Sequence, residues 1–215
     1  MADFNTRDPL SPAFWDERFE KQFTPWDQGG VPSRLRRFVA GSPAPLRCLI
    51  PGCGSAYELA FMLDHGWDAT AIDFSPGAVA AARIQLGERA GRVVEADFFA
   101  WEPDAPLDLI YERAFLCAMP RAMWAQVAAR WAQLLAPGAM LAGYFFFDDN
   151  VKGPPFGISR EKLQELLVPH FDCLADEAVD DSIAVFAGKE RWMSWRRRQT
   201  EAGGAISAGD KGKAL

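Results

Sequence analysis

A glycine turn followed at a fixed distance by a carboxylate is the feature that most restricts the fold of this 215-residue chain. The Pro-Gly-Cys-Gly turn at residues 51–54 follows a short apolar run and opens a helical pattern. A second apolar run ends in Asp73, about twenty residues further on. In a doubly wound sheet, such glycines let the backbone approach a nucleoside, and such an acid accepts hydrogen bonds from ribose hydroxyls. The spacing therefore predicts a nucleoside site.

Two classes of cofactor use this arrangement. A dinucleotide site needs a third glycine for close packing of helix on strand, but Tyr57 stands at that position. The large ring argues against a pyrophosphate site, whereas the short turn suits S-adenosylmethionine, which carries no phosphate. Because two glycines alone are a weak signal, an ordinary strand-to-helix turn stays open as the alternative.

The apolar runs predict that strands and helices alternate from residue 47 to residue 167. Such alternation is typical of a parallel sheet with helices on both faces, here closed by a hairpin at one edge. We therefore expect an α/β fold with a doubly wound, mostly parallel seven-stranded sheet. The predicted strands are residues 47–50, 67–72, 92–95, 107–111, 139–147, 171–175 and 183–186.

The chain length indicates a single domain. Helical spacing of aromatic residues begins after Ser11 and Pro12, a good helix start, and residues 11–40 are predicted as an N-terminal helical segment before a Rossmann-like core at 46–190. We expect one domain over residues 1–198. Residues 199–215 are rich in glycine, alanine and serine, which predicts a disordered tail.

The net charge of −6 argues against a nucleic-acid partner. A local exception at residues 189–198 interleaves basic side chains with Trp192 and Trp195, and we interpret it as a solvated cluster after the last strand. We expect a monomer whose partner is a small molecule.

The four cysteines form no Cys-x-x-Cys pair, and the chain has only two histidines, so no metal site is predicted. Cys48 and Cys117 lie in apolar runs and are interpreted as core thiols. We find no signal peptide and no apolar stretch of membrane-spanning length. These features predict a cytoplasmic protein without a membrane partner.

Polar and glycine residues gather where the predicted strands end. Ligands of a doubly wound sheet bind beyond the carboxyl ends of its strands, so this clustering predicts one site there. The residues concerned are Gly52, Gly54, Asp73, Asp97, Glu112, Arg113 and Asp148.

The chain resembles the thiopurine S-methyltransferase family, close to its branch of plant-type thiol and halide methyltransferases. The resemblance covers roughly residues 12–198 and rests on motifs beyond the glycine turn: Phe-Trp at 14–15, Thr-Pro-Trp-Asp at 24–27, Asp-Phe-Phe-Ala-Trp-Glu-Pro at 97–103 and Asp-Asp-Asn-Val-Lys-Gly-Pro-Pro at 148–155. It implies a class I S-adenosylmethionine-dependent methyltransferase whose N-terminal segment, about residues 11–40, is a lid.

The resemblance also implies the cofactor contacts. Trp15, Phe19 and Trp26 fall where the family places lid aromatics near the cofactor, although the plant branch has tryptophan in place of Phe19. Gly52, with Gly54 beside it, approaches the methionine portion.

Three further positions complete the implied cofactor site. Asp73 binds the ribose hydroxyls, while Asp97 and Phe98 form the adenine pocket. Arg113 matches an arginine of the thiopurine branch, where the plant branch has tyrosine, and we assign it to both cofactor binding and catalysis.

Methyl transfer from a sulfonium needs alignment and exclusion of water more than acid catalysis. Neither histidine is placed for a general base, so we predict that Asp148, with Asp149 beside it, assists deprotonation and that Arg113 stabilises an anionic acceptor. The alternatives are a structural ion pair for Arg113 and solvated loop acids at 148 and 149.

The expected activity is methyl transfer to the sulfur of small or aromatic thiols. Three alternatives stay open: a halide or hydrosulfide methyltransferase, an O-methyltransferase of an aromatic metabolite, and a non-catalytic adenosyl-binding protein. A nicotinamide-dependent oxidoreductase is disfavoured by Tyr57.

Overall fold

The computed structural model of the protein describes residues 3–199, which form one seven-stranded sheet with helices packed on both faces. The predicted tail at 199–215 lies outside the described residues except for its first residue. Within residues 3–199, no helix has both the length and the apolar character needed to cross a membrane.

The strands and helices follow the predicted alternation. The strands are β1 Arg47–Pro51, β2 Asp68–Asp73, β3 Val93–Glu95, β4 Leu107–Arg113, β5 Leu135–Phe146, β6 Phe171–Ala178 and β7 Glu190–Arg197. The helices are α1 Pro12–Glu20, α2 Ser33–Ala40, α3 Tyr57–Asp64, α4 Pro76–Leu86, α5 Phe115–Ala118, α6 Trp124–Leu134 and α7 Arg160–Leu167.

The strand order is β3-β2-β1-β4-β5-β7-β6, and only the pairings of β7 with β5 and β6 are antiparallel. The order reverses between β1 and β4, which is where a doubly wound sheet forms a ligand crevice at the carboxyl ends of its strands. The predicted mostly parallel α/β fold is confirmed.

Two apolar cores cover the two faces of the sheet because successive strand residues point in opposite directions. In β4, Ile110 packs in the core beneath α6 and α7, whereas Leu109 and Tyr111 pack in the core beneath α2, α3 and α4. A sequence-local cap begins α4. The Ser75 hydroxyl accepts a hydrogen bond from Ala78 N at 3.1 Å, which starts α4 directly after β2.

The prediction for the end of the chain is wrong. The last strand is not 183–186 but β7, so the core extends beyond residue 190. Trp192 and Trp195 are 3% and 1% exposed, one in each core, and therefore do not belong to a solvated cluster. Three of the interleaved arginines instead bond to neighbouring elements: Arg191 bonds Asp176 on β6, Arg197 bonds the carbonyl of Ala132 in α6, and Arg198 bonds Asp172 on β6.

The close approach of β4 to β5 at Gly143 yields a stability prediction. A Cβ atom on Gly143 would lie 1.9 Å from the carbonyl oxygen of Glu112, inside the paired strands. Because two central strands cannot separate without breaking their ladder, we expect Gly143→Ala to lower the free energy of unfolding by more than about 3 kcal/mol. Urea unfolding measures this. Gly91→Ala, where no atom lies within 4 Å, is the control, and equal midpoints for the two variants would contradict the prediction.

Candidate functional site

A cavity of about 900 Å³ lies at the carboxyl ends of β1, β2 and β4 and is bordered on its outer side by the N-terminal segment. Every predicted cofactor-binding residue borders it. These are Trp15, Phe19, Trp26, Gly52, Gly54, Asp73, Asp97, Phe98 and Arg113.

The glycine turn forms one wall of this cavity. Gly52 and Gly54 have φ angles of +59° and +50°, a conformation that favours glycine. A Cβ atom on Gly52 would also come within 2.7 Å of Cδ2 of Phe115. Residue 52 therefore has to be glycine for two reasons: its backbone has a positive φ angle, and the Phe115 ring leaves no space for a Cβ atom.

Asp73 ends β2 at the next wall and is 9% exposed. Its carboxylate accepts hydrogen bonds from the backbone N of Gly54 at 3.2 Å and of Ser75 at 3.0 Å. Burial raises the pKa of Asp73 to about 6, against the opposing effect of these hydrogen bonds. The side chain is thus a fixed acceptor, held at the turn that would face a bound nucleoside.

The predicted adenine pocket follows β3. Phe98 is 4% exposed and packs edge-to-face on Phe115 with ring centroids 4.9 Å apart. Asp97 is exposed, and one of its oxygens accepts a hydrogen bond from Phe99 N at 2.9 Å. An apolar ring and an accessible carboxylate thus adjoin at this end of the cavity.

The lid aromatics form a connected group. The Trp26 ring lies 5.4 Å from Trp15 and 6.2 Å from Phe19, centroid to centroid, both edge-to-face. The Trp15 indole N–H donates to the carbonyl of Pro9 at 2.9 Å, which fixes the orientation of its ring. The structure therefore brings together the three aromatics for which the family resemblance implies a place near the cofactor.

Arg113 ends β4 and is nearly buried. One guanidinium nitrogen donates to Glu190 at 3.0 Å, and the group lies 4.3 Å above the ring of Tyr144. The Arg113 and Glu190 side chains are 10% and 2% exposed. Nη2 of Arg113 finds no hydrogen-bond partner within residues 3–199. A structural ion pair and a buried, unpaired donor therefore coexist in one side chain, and this residue borders the cavity.

Glu112 was predicted only as a strand-end residue, and its role is structural. Its carboxyl oxygen accepts from the backbone N of Phe115 and of Leu116, both at 3.1 Å, and so caps α5. Burial raises its pKa to about 8, so the group is mostly protonated at neutral pH. The cap positions Phe115 against the glycine turn.

Asp148 is not brought to the cavity with the other predicted residues. Its carboxylate pairs with Lys189 at 2.7 Å, and the hydrogen bond from Lys189 lowers the pKa of Asp148. The later part of the same motif, residues 153–155, does border the cavity. The motif thus reaches the site through its Gly-Pro-Pro segment.

Sequence reasoning missed several cavity residues. Cys117, interpreted above as a core thiol, borders the cavity together with Cys53, and burial raises the pKa of both thiols well above the ordinary value. Phe186 packs on Phe146 beside Cys117 and lies in the loop that was predicted as a strand. No local pattern marks Phe186, because only the fold of the β6–β7 loop brings it to the site.

The family of thiopurine S-methyltransferases (TPMT) matches residues 10–198 of the chain. The chain belongs to this family. Thiocyanate methyltransferase 1 of Arabidopsis thaliana is 30% identical over 190 residues, which cover 85% of this chain and 84% of the relative. Thiopurine S-methyltransferase of Methylococcus capsulatus is 27% identical over 184 residues, covering 75% and 83%. The prediction of an S-adenosylmethionine-dependent S-methyltransferase is confirmed at the level of the family.

Solved structures agree on the fold. The Burkholderia thailandensis 1,6-didemethyltoxoflavin-N1-methyltransferase, solved with S-adenosylhomocysteine, has a TM-score of 0.70 at 18% identity over 92% of this chain and 94% of that one. Magnesium protoporphyrin IX methyltransferase of Synechocystis, solved with S-adenosylmethionine, has a TM-score of 0.67 at 13% identity over 91% and 100%. The family member thus has the class I methyltransferase fold.

The residues present fit S-adenosylmethionine. Gly52 lets the ring of Phe115 pack against the backbone of the turn, Asp73 offers carboxylate oxygens, and Phe98 offers a buried ring. These are the acceptor and apolar groups that ribose hydroxyls and adenine require.

The raised pKa of Asp73 predicts pH-dependent binding. Below pH 6 or so the carboxyl becomes protonated and loses acceptor capacity for ribose hydroxyls. We expect the affinity for S-adenosylhomocysteine to fall about tenfold per pH unit below that value and to be constant above pH 7. Isothermal titration calorimetry from pH 5 to pH 8 measures this. Asp73→Asn is expected to bind weakly without this pH dependence, and a flat wild-type profile would contradict the assignment.

Proposed function

We propose that the protein transfers a methyl group from S-adenosylmethionine to the sulfur of small or aromatic thiols. The observation that supports this most is that the lid aromatics and Arg113 border the same cavity as the glycine turn and Asp73. Donor and acceptor binding groups are therefore adjacent.

The cofactor, when bound, supplies an electrophilic methyl group on a positively charged sulfur. The chain's own residues bind and orient the reactants. Aromatic rings such as Trp15 and Trp26 attract a cation by about 0.5 to 2 kcal/mol each. A lid that excludes water and fixes the reacting groups in line contributes about 7 to 11 kcal/mol of barrier reduction through alignment.

The acceptor must be a soft nucleophile, because an oxygen nucleophile generally needs a base or a metal. Neither His65 nor His170 is among the described residues that border the cavity. A thiol has a pKa of about 8.5, so a neighbouring cation is enough to raise its thiolate fraction. Arg113, whose Nη2 has no partner within residues 3–199, is the cation we assign to this role.

A second candidate acceptor is a small inorganic anion such as a halide, hydrosulfide or thiocyanate. The similarity to plant thiocyanate methyltransferases supports it, as does the buried guanidinium of Arg113. Both candidate acceptors would receive the methyl group from the same donor, in the same cavity.

We further propose that residues 1–198 act as one monomeric methyltransferase domain in the cytoplasm. All four cysteines are free, as suits a reducing compartment. Size-exclusion chromatography with light scattering tests the monomer.

The direct test is methyl transfer from labelled S-adenosylmethionine to a panel of thiophenols, thiopurines, hydrosulfide, iodide, thiocyanate and catechols. We expect transfer to aromatic or aliphatic thiols. Transfer to inorganic anions alone would favour the second candidate. Binding of the cofactor without any transfer would contradict both.

The role of Arg113 predicts a selective kinetic defect. We expect Arg113→Ala to lower kcat/KM for anionic acceptors about 10- to 100-fold while changing cofactor affinity much less, because the free guanidinium donor serves the acceptor. The single substitution leaves the Glu190 carboxylate buried without its ion-pair partner. The double variant Arg113→Ala with Glu190→Gln removes that carboxylate as well and therefore controls for this effect. Equal losses of cofactor affinity and turnover in both variants would show that the role is wrong.

A further inference from the structure

Two carboxylates of the lid reach across to the two loops that form the cofactor site. We propose that Asp16 and Asp27 are positioning residues, latches that hold the aromatic lid against the glycine turn and the Asp73 loop. This inference rests on the proposed function only in taking these loops as cofactor-binding loops. The chain's motifs place neither side chain among the cofactor contacts.

Asp16 makes the first latch. It lies in α1 directly after Trp15, and its Oδ1 accepts hydrogen bonds from the Ser75 hydroxyl at 2.6 Å and from Gly77 N at 2.8 Å. Both donors belong to the start of α4, where the helix dipole favours a negative charge. Since Ser75 N also donates to the carboxylate of Asp73, the latch joins the lid helix to the loop that fixes the acid.

Gly77 leaves space for this contact between α1 and α4. A Cβ atom on Gly77 would lie 3.1 Å from Oδ1 of Asp16, 3.3 Å from its Cα and 3.4 Å from Cβ of Phe19. The two Asp16 contacts are tight, and one of them is to backbone. Glycine at residue 77 therefore permits α1 to lie directly on α4.

Asp27 makes the second latch on the other loop. It follows Trp26, and its Oδ2 accepts a hydrogen bond from the Ser55 hydroxyl at 2.5 Å while Oδ1 accepts one from Gly29 N at 2.7 Å. Ser55 directly follows Gly54 of the glycine turn. The bond to Gly29 shapes the lid loop, and the bond to Ser55 attaches that loop to the turn.

The two latches share one design. Each carboxylate is the chain neighbour of a lid tryptophan, and each bonds a residue within two positions of a predicted cofactor contact. Hydrogen bonds to a carboxylate are shorter and stronger than neutral ones. Undocking the lid therefore breaks charge-assisted bonds at both loops, so lid position and cofactor binding are thermodynamically coupled.

A double-mutant cycle tests the second latch. We expect Asp27→Asn and Ser55→Ala each to raise the dissociation constant for S-adenosylhomocysteine about tenfold, and the double variant to show about tenfold and not a hundredfold weakening, because both remove one interaction. Asp8→Asn is the matched control, since Asp8 lies just before the lid and its exposed carboxylate accepts only the hydrogen bond from the nearby Leu10 N within residues 3–199. Additive effects, or wild-type affinity in either single variant, would overturn the latch.

Limited trypsin digestion tests both latches without a ligand. Arg18 and Lys21 lie in or directly after α1, so cleavage after them reports undocking of the lid. We expect Asp16→Asn, Asp27→Asn and Gly77→Ala to be cut there at least about fivefold faster than wild type, with global melting temperatures close to wild type. Gly91→Ala and Asp8→Asn are expected to behave as wild type.

The outcomes separate this inference from the proposed function. Unchanged lid cleavage in Asp16→Asn and Asp27→Asn overturns the latches, whatever the enzyme methylates. A melting temperature that falls as lid cleavage becomes faster also overturns them, since the residues would then only stabilise the whole fold. Faster lid cleavage in a protein that methylates no thiol upholds the latches and contradicts only the proposed function.

Discussion

Contact between the turn after β1 and the ring of Phe115 sets the shape of the site. With 2.7 Å between a hypothetical Cβ at residue 52 and that ring, the backbone itself forms the cavity wall. Phe115 is held there by the buried carboxyl of Glu112 through α5, and its ring packs edge-to-face on Phe98. One protonated carboxyl in the core thus maintains both the glycine turn and the adjacent aromatic pocket.

Two buried acids and one nearly buried arginine lie where the sheet meets the cavity. Glu112 and Glu190 are buried near Arg113, and burial raises the pKa of both acids. Such groups are costly to bury, so the arrangement is favourable only because hydrogen bonds and the guanidinium compensate part of the desolvation. The same desolvation strengthens any interaction between Arg113 and a ligand in the cavity.

Much of the fold and of the cofactor site could be predicted from the sequence. Gly52 and Asp73 are recognisable because a βαβ unit fixes their spacing along the chain, and the alternation of strand and helix patterns indicates a parallel sheet. Glu190 and Phe186 were missed because they come from the antiparallel end of the sheet, where contacts join residues far apart in the sequence. Strand β7 was taken for a solvated cluster for a related reason. A strand that is buried on both faces carries tryptophans on each side, so its sequence shows no alternation of apolar and polar residues.

The contacts of the lid with the rest of the protein could not be predicted from the sequence, for a different reason. Its aromatic residues could be predicted from motifs, but the partners of Asp16 and Asp27 depend on how a helix from the start of the chain lies on α4. That placement follows from tertiary packing at Gly77, which no local pattern reveals.

The two cysteines of the cavity have a consequence for an enzyme that handles sulfur. Cys53 and Cys117 border the space in which a methyl donor would lie, yet desolvation keeps both thiols neutral. A neutral thiol is a poor nucleophile compared with its thiolate. The same burial that shapes the pocket therefore disfavours attack by these two thiols of the protein on a donor in the cavity.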